Sequence, residues 1–125
     1  VELNLNGVEK EEEVIIALFN PALFSWVMEN LIRNSVDAME GQGVINVIIS
    51  QSRDDVIIDI EDSGKGISRS DMRDVFSPGF TTKNRGWGLG LSLVKRIVED
   101  YHGGRITLLK SEIGVGTTFR IKLSA

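Results

Sequence analysis

Apolar and polar residues alternate over residues 1–6, the period of two expected of a strand with one face buried. A charged stretch at 9–13 separates it from the short apolar run 14–19, which reads as another strand. Asn20-Pro21 supplies a helix cap and a proline at the first helical position. The pattern predicts a helix from there to Glu40, stopped by Gly41. Phe24, Met28, Leu31, Ser35 and Ala38 recur at helical spacing as its expected buried face, and Trp26, Asn30, Arg33, Asn34 and Asp37 form a second. Residues 44–51 and 56–61 predict a strand pair. Ser68 or Ser70 can cap a short helix running through Phe76, and 77–88 is loop. Residues 89–101 predict a second long helix with Leu89, Leu93, Val94, Ile97 and Val98 inward, ended by His102-Gly103-Gly104. Residues 105–109 and 117–123 read as closing strands. The fold class expected is α+β: about five strands in one mixed sheet, covered on one face by about three helices.

Length and composition narrow the chemistry. At 125 residues the chain fits a single domain, and 42% hydrophobic with 26% charged residues is an ordinary globular mix. The absence of cysteine excludes disulfides, zinc fingers and thiol catalysis. A single histidine, His102, excludes a multi-histidine metal site. The formal charge of −4 offers no general attraction to nucleic acid or anionic membrane, so neither is an expected partner. No apolar run approaches the ~20 residues a membrane span needs. The chain starts on Val1 rather than Met, and it is expected to be a piece of a longer protein.

Five stretches carry candidate chemistry. Asn30, Asn34 and Asp37 lie at i, i+4 and i+7 on one helix face. Asparagine is a mediocre helix former, and a neutral amide oxygen suits Mg²⁺ whose charge is met by a polyphosphate. Asp62-Ser63-Gly64-Lys65-Gly66-Ile67 follows a strand, where a carboxylate can accept from the amino group of adenine and repel guanine. Gly86-Trp87-Gly88-Leu89-Gly90-Leu91 opens a helix, a setting that offers backbone N–H groups to phosphate. Between them, residues 76–85 hold Phe80, Thr81, Thr82, Lys83 and Arg85, the make-up of a lid over a charged ligand. Gly114-Val115-Gly116-Thr117 is a glycine turn entering a strand. No P-loop is present, and the glycine spacing and context do not match a dinucleotide-binding turn.

The order of these stretches resembles the catalytic, ATP-binding domain of sensor histidine kinases. Residues 29–38 are similar to the N box, 62–67 to the first glycine box, 75–83 to the F box, 86–91 to the second glycine box and 114–119 to the last. The phrase Pro78-Gly79-Phe80-Thr81-Thr82-Lys83 looks most like the nitrogen-regulator type. The resemblance implies the two-layer α/β sandwich of the gyrase and mismatch-repair ATPases, the Bergerat fold, with ATP and Mg²⁺ between the first helix and a mobile lid.

Carried over by position, Asn34 would ligate Mg²⁺ and Asn30 would sit beside the phosphates. Asp62 would hold the adenine amino group, with Ile67 against the base and Gly64 and Gly66 making room for it. Gly88 and Gly90 would present backbone to phosphate. Thr117 would support the adenine end, and Lys83 or Arg85 would reach the γ-phosphate. Asp37, Phe80, Thr81, Thr82, Gly86, Leu89 and Leu91 complete the implied nucleotide site.

The implied activity is transfer of the γ-phosphoryl group to a histidine on a separate dimerisation domain, then to a response-regulator aspartate, in the cytoplasm. The isolated domain is expected to be monomeric and without self-phosphorylation. Hydrolysing relatives carry glutamate four residues before the magnesium asparagine. Here Asn30 stands there, and Glu29 is turned ~100° away around the helix. An anti-sigma serine kinase, a non-catalytic nucleotide sensor and a gyrase-type clamp are the rival functions. Trp87 is a departure, because the family usually has a small residue between those glycines. His102 is expected to cap its helix rather than accept phosphate.

Overall fold

The computed structural model describes residues 2–6, 21–40, 42–52, 54–77 and 90–124. The expected strand at 14–19, the Asn20 cap and the Gly41 stop lie outside the described residues, as does the lid from residue 78 to 89. Five strands, β1 (Glu2–Asn6), β2 (Val44–Ser52), β3 (Asp55–Asp62), β4 (Arg105–Glu112) and β5 (Gly116–Ser124), form one sheet. Their order is β1-β2-β3-β5-β4. β1 runs parallel to β2 and every other pairing is antiparallel, so the sheet is mixed as expected. The helices are α1 (Pro21–Ala38), the short α2 (Arg69–Met72) and α3 (Gly90–Arg96).

Alternation decides the faces of the sheet. In β3, Val56, Ile58, Ile60 and Asp62 are buried, while the residues between them are half-buried. The inward positions stack in rungs across the strands. Val47, Ile60 and Phe119 share one, and Ile49, Ile58 and Ile121 the next. Val27 and Leu31 of α1 and Val94 of α3 pack with them in one core, along with Ile97 and Val98 just beyond α3. Each fully buried Ile or Leu contributes about 1.5–3 kcal/mol over exposure. The opposite face is polar. There Arg120 grips Asp59 through two bonds of 2.8 and 2.9 Å, and Lys122 approaches Asp55 at 3.4 Å. The Asp59 carboxylate raises the Arg120 pKa above its ordinary value, chiefly through the hydrogen bond. The helices therefore cover one face, and the other carries these ion pairs.

Several boundaries differ from the sequence expectation. α1 ends at Ala38, not Glu40: the Glu40 amide bonds the Asp37 carbonyl three residues back at 3.2 Å, and the Ala38 carbonyl accepts from the Lys65 amide at 3.0 Å. Glu40 adopts a left-handed backbone, φ +53°. The buried residues of α1 are Val27, Leu31 and Ser35, with Met39 buried just beyond its end. Phe24 and Met28, assigned to the buried face, pack against the core but are only half-buried, as is Ala38, and Trp26, assigned to the second face, packs against the core in the same way. α2 stops at Met72, and turns rather than helix carry the chain to Phe76. Its cap is Ser68, whose hydroxyl accepts from the Asp71 amide.

The last helix widens to π geometry over Ile97–Tyr101. Leu93, assigned inward, is 39% exposed. His102 ends this helix as expected: its Nδ1 lies 2.8 Å from the Ile97 carbonyl, which can only accept, so Nδ1 carries the proton. Gly103 (φ +63°) then turns the chain out.

Candidate functional site

At one end of the sheet the inward rung changes character. Ile45, Asp62, Thr117 and Ser111 face one another in register across β2, β3, β5 and β4. The neighbouring rung is Val47, Ile60, Phe119 and Leu108. A carboxylate and two hydroxyls thus stand where the neighbouring rung has Ile60, Phe119 and Leu108.

Asp62 is 6% exposed, and burying a carboxylate requires donors in place of water. Its Oδ1 accepts from the Gly64 amide at 2.9 Å and from the Thr117 amide at 3.3 Å. Among the described residues Oδ2 takes no hydrogen bond, so an acceptor is left beside Thr117. Thr117 Oγ1 in turn lies 2.7 Å from Ser111 Oγ, which accepts from the Ile67 amide at 2.8 Å. One network therefore ties the Asp62–Ile67 loop to the β4–β5 hairpin.

The glycines of that loop have an immediate structural task. A Cβ on Gly64 would meet the Ala38 Cβ at 2.8 Å and the Ala38 oxygen at 2.9 Å. Gly64 thus lets the loop seat on the end of α1. Gly66, at φ +78°, lies against the Glu112 carbonyl, and the Gly114 amide donates to the Lys65 carbonyl at 2.9 Å. Both glycines make room for protein.

This loop, α1, α2, the start of α3 and the hairpin enclose a cavity of about 320 Å³. Asn34, Asp37, Asp62, Gly66, Ile67, Leu91 and Thr117, all singled out in the sequence, line it together. Its apolar walls also include Val75, Ile113 and Phe119, and Ser35, Ala38, Lys65, Ser68 and Asp71 contribute to its rim and floor. These eight were not assigned to the nucleotide site from the sequence, although Ser35, Ala38, Lys65, Val75 and Phe119 lie within the stretches singled out there. Phe119 could have been found, because it continues the inward alternation of β5 from Thr117. The volume and the mostly apolar wall with a few convergent polar groups fit a small-molecule site.

Gly64 supports the cavity from behind and does not line it. Asn30 and Gly90 also lie off its wall but near each other: a Cβ on Gly90 would stand 3.8 Å from Asn30 Oδ1. Asn30 Nδ2 donates to the Trp26 carbonyl at 2.8 Å, which leaves Oδ1 as the side-chain end near the first turn of α3. Val75 is fully buried, and the Phe76 ring meets Phe119 edge-on at 6.0 Å with Lys95 5.3 Å above it. The root of the expected lid is therefore anchored at the cavity. Phe80, Thr81, Thr82, Lys83, Arg85, Gly86, Gly88 and Leu89 lie outside the described residues.

The donor set also bears on a metal. Among the described residues no cluster of three His, Cys, Asp or Glu could hold an ion by itself. One amide oxygen on the cavity wall, Asn34, suits an ion that arrives with phosphate oxygens. No helix among the described residues is long and apolar enough to cross a membrane.

The chain is similar to known proteins over most of its length. The chain is 43% identical over 104 residues to sensor histidine kinase ZraS of Escherichia coli (strain K12), covering 83% of this chain and 22% of that protein. It is 35% identical over 116 residues to nitrogen regulation protein NtrY of Azorhizobium caulinodans, covering 87% of this chain and 15% of NtrY. It thus spans about a fifth of the length of these relatives. The nucleotide-free catalytic domain of histidine kinase ThkA superposes with a TM-score of 0.84 at 28% identity, over 98% of this chain and 79% of that one. The model of one family, described as histidine kinase-, DNA gyrase B- and HSP90-like ATPase, matches residues 20–125, and the chain belongs to that family.

Proposed function

We propose that this domain binds Mg-ATP in the cavity between α1 and the Asp62–Ile67 loop, and donates the γ-phosphoryl group to a histidine on a separate dimerisation domain of the same protein. The observation that carries the reading is the Asp62 carboxylate: buried, held at Oδ1 by two backbone amides, and part of the wall of a mostly apolar cavity. Such an acceptor suits an exocyclic amine on a flat base and repels a carbonyl in the same place. Ile67 and Phe119 would sandwich that base. Asn30 and the start of α3 would lie along the phosphates, with Lys83 or Arg85 reaching the γ-phosphate from the lid.

Asn34 would hold Mg²⁺ through its amide oxygen. When bound, the ion would neutralise developing phosphoryl charge. Phosphoryl transfer asks mainly for positioning, which a rigid rung of the sheet is suited to provide. An amide at Asn30 cannot take a proton from water, which favours transfer over hydrolysis. The phosphoryl group would pass on to a response-regulator aspartate in the cytoplasm, and the domain alone would be monomeric.

Calorimetric titration of the chain with Mg-ATP and with Mg-GTP tests the binding step. Saturable binding of ATP alone is the expected outcome, and equal binding of both would sink the Asp62 assignment. Adding the separate dimerisation domain with γ-labelled ATP tests the transfer. Acid-labile label on histidine is expected, and acid-stable label on serine would assign the protein to the rival kinase class.

A further inference from the structure

Ser111 lies outside the cavity, yet three groups that shape its base end converge on it. Its Oγ accepts from the Ile67 amide at 2.8 Å, lies 2.7 Å from Thr117 Oγ1, and is 3.3 Å from the Gly116 carbonyl oxygen. A hydroxyl has one proton and two lone pairs. The Gly116 carbonyl can only accept, so satisfying all three contacts requires the Ser111 proton to point there. Thr117 must then give its own proton to Ser111. If Ser111 donated to Thr117 instead, the Gly116 contact would have no proton. The assignment that completes the network leaves Thr117 Oγ1 with lone pairs alone toward the cavity.

The backbone places Ser111 there deliberately. Ile106 and Leu108 of β4 face inward, and simple alternation would send Lys110 inward next. The register instead shifts between Leu108 and Lys110, so that Lys110 pairs with Thr118 and Ser111 with Thr117. The extra residue, Leu109, is 43% exposed. A bulge of this kind re-aims the side chains that follow it. Here it trades an inward lysine for an inward serine at the polar rung.

We infer that Ser111 is a positioning residue for base selection: it fixes the polarity of the Thr117 hydroxyl, so that Thr117 and Asp62 Oδ2 together form a pair of acceptors selective for a purine with an amine rather than a carbonyl at position 6. This inference rests on the proposed nucleotide site. A paired acceptor matches the two protons of an amine. It places lone pairs against the lone pairs of a carbonyl. Without Ser111, the Thr117 proton is free to turn inward and donate, and a 6-carbonyl becomes acceptable.

The test compares ATP with inosine triphosphate, which carries the carbonyl at position 6, by titration of the 125-residue chain with Mg²⁺ present. In Ser111→Ala the ratio of the two dissociation constants should fall by about tenfold, the size of one reversed hydrogen bond. Ser111→Thr keeps the hydroxyl and should keep the ratio. In a Thr117→Val background, Ser111→Ala should change the ratio no further, which a general loosening of the hairpin would not reproduce. An unchanged ratio in Ser111→Ala overturns the inference and leaves the ATP site standing. If Ser111→Ala does not fold, Thr117→Val alone decides: its ratio must fall likewise, and an unchanged ratio overturns the inference. Failure of the unaltered chain to bind ATP overturns the functional reading and this inference with it.

Discussion

Gly116 abuts the carbonyl of Asp62: a Cβ built on Gly116 would fall on that oxygen and stand 3.2 Å from Ser63 Cα. Its backbone is also left-handed, φ +146°. Gly116→Ala is therefore strained twice, by conformation and by collision. Conformation alone costs about 1–3 kcal/mol. The expected result is a clear drop in melting temperature together with weakened ATP binding, because the collision displaces the strand end that carries Asp62. A variant that melts as the unaltered chain does would contradict the close approach.

Asp62→Asn separates the two oxygens of the carboxylate. Asn Oδ1 can still accept from the Gly64 and Thr117 amides, so the fold should hold. The amide nitrogen then replaces Oδ2 and presents protons to the base. ATP affinity should fall at least about tenfold, one acceptor having become a donor. Titration alongside a thermal melt checks both halves. Loss of the fold rather than of affinity would mean that the charge, not the polarity, matters at this rung.

The legible and the hidden parts of this site differ in kind. Asp62 could be read from the sequence because Val56, Ile58 and Ile60 set a period of two that runs straight into it. Ser111 could not, because the bulge at Leu109 breaks the period of β4 and nothing in Leu108-Leu109-Lys110 marks the break. The buried stripe of α1 was legible only in part, for a related reason. Trp26, Val27, Met28, Leu31, Ile32 and Val36 make most of the helix surface apolar, and only the packing partner decides that Val27 is fully buried while Phe24 and Met28 pack against the core half-buried. Leu93 shows the same ambiguity at the edge of a broad stripe. The lid residues were conspicuous in the sequence as chemistry, but their chemistry depends on a bound ligand rather than on the period of any element.

Gly64→Ala examines how the loop is seated. The added methyl would meet the Ala38 Cβ at 2.8 Å and the Ala38 oxygen at 2.9 Å, and that oxygen is already the acceptor for the Lys65 amide. Destabilisation of about 1–3 kcal/mol is expected, as for overpacking elsewhere. Ala38→Gly should relieve it only in part, because the carbonyl remains. Full rescue in a denaturant melt of the double variant would show that the side chain alone sets the contact.

Asn34→Ala separates the metal from the base. The proposed Mg²⁺ ligand is lost, while Asp62, Ile67 and Thr117 are untouched. ATP binding without Mg²⁺ should be preserved, and the gain in affinity on adding Mg²⁺ should shrink. Titrations with Mg²⁺ and with chelator measure that gain directly. An unchanged gain would move the ion to other residues.

Asn30→Glu asks whether a single side chain keeps the domain from hydrolysing ATP. Asn30 Nδ2 is engaged with the Trp26 carbonyl, and its Oδ1 end lies near the first turn of α3. A glutamate loses the bond to Trp26, since a carboxylate has no proton to donate, and it reaches one methylene further toward the proposed phosphate end. That carboxylate can accept a proton from water, which the amide cannot. The expected outcome is faster phosphate release from ATP than by the unaltered chain, with general-base contributions of about 10²–10⁴-fold as the upper range. Phosphate release measured with and without the substitution decides it. If the variant binds ATP as before and stays inert, the choice between transfer and hydrolysis lies in how the lid excludes or orders water, and the residue at position 30 is only one condition for it.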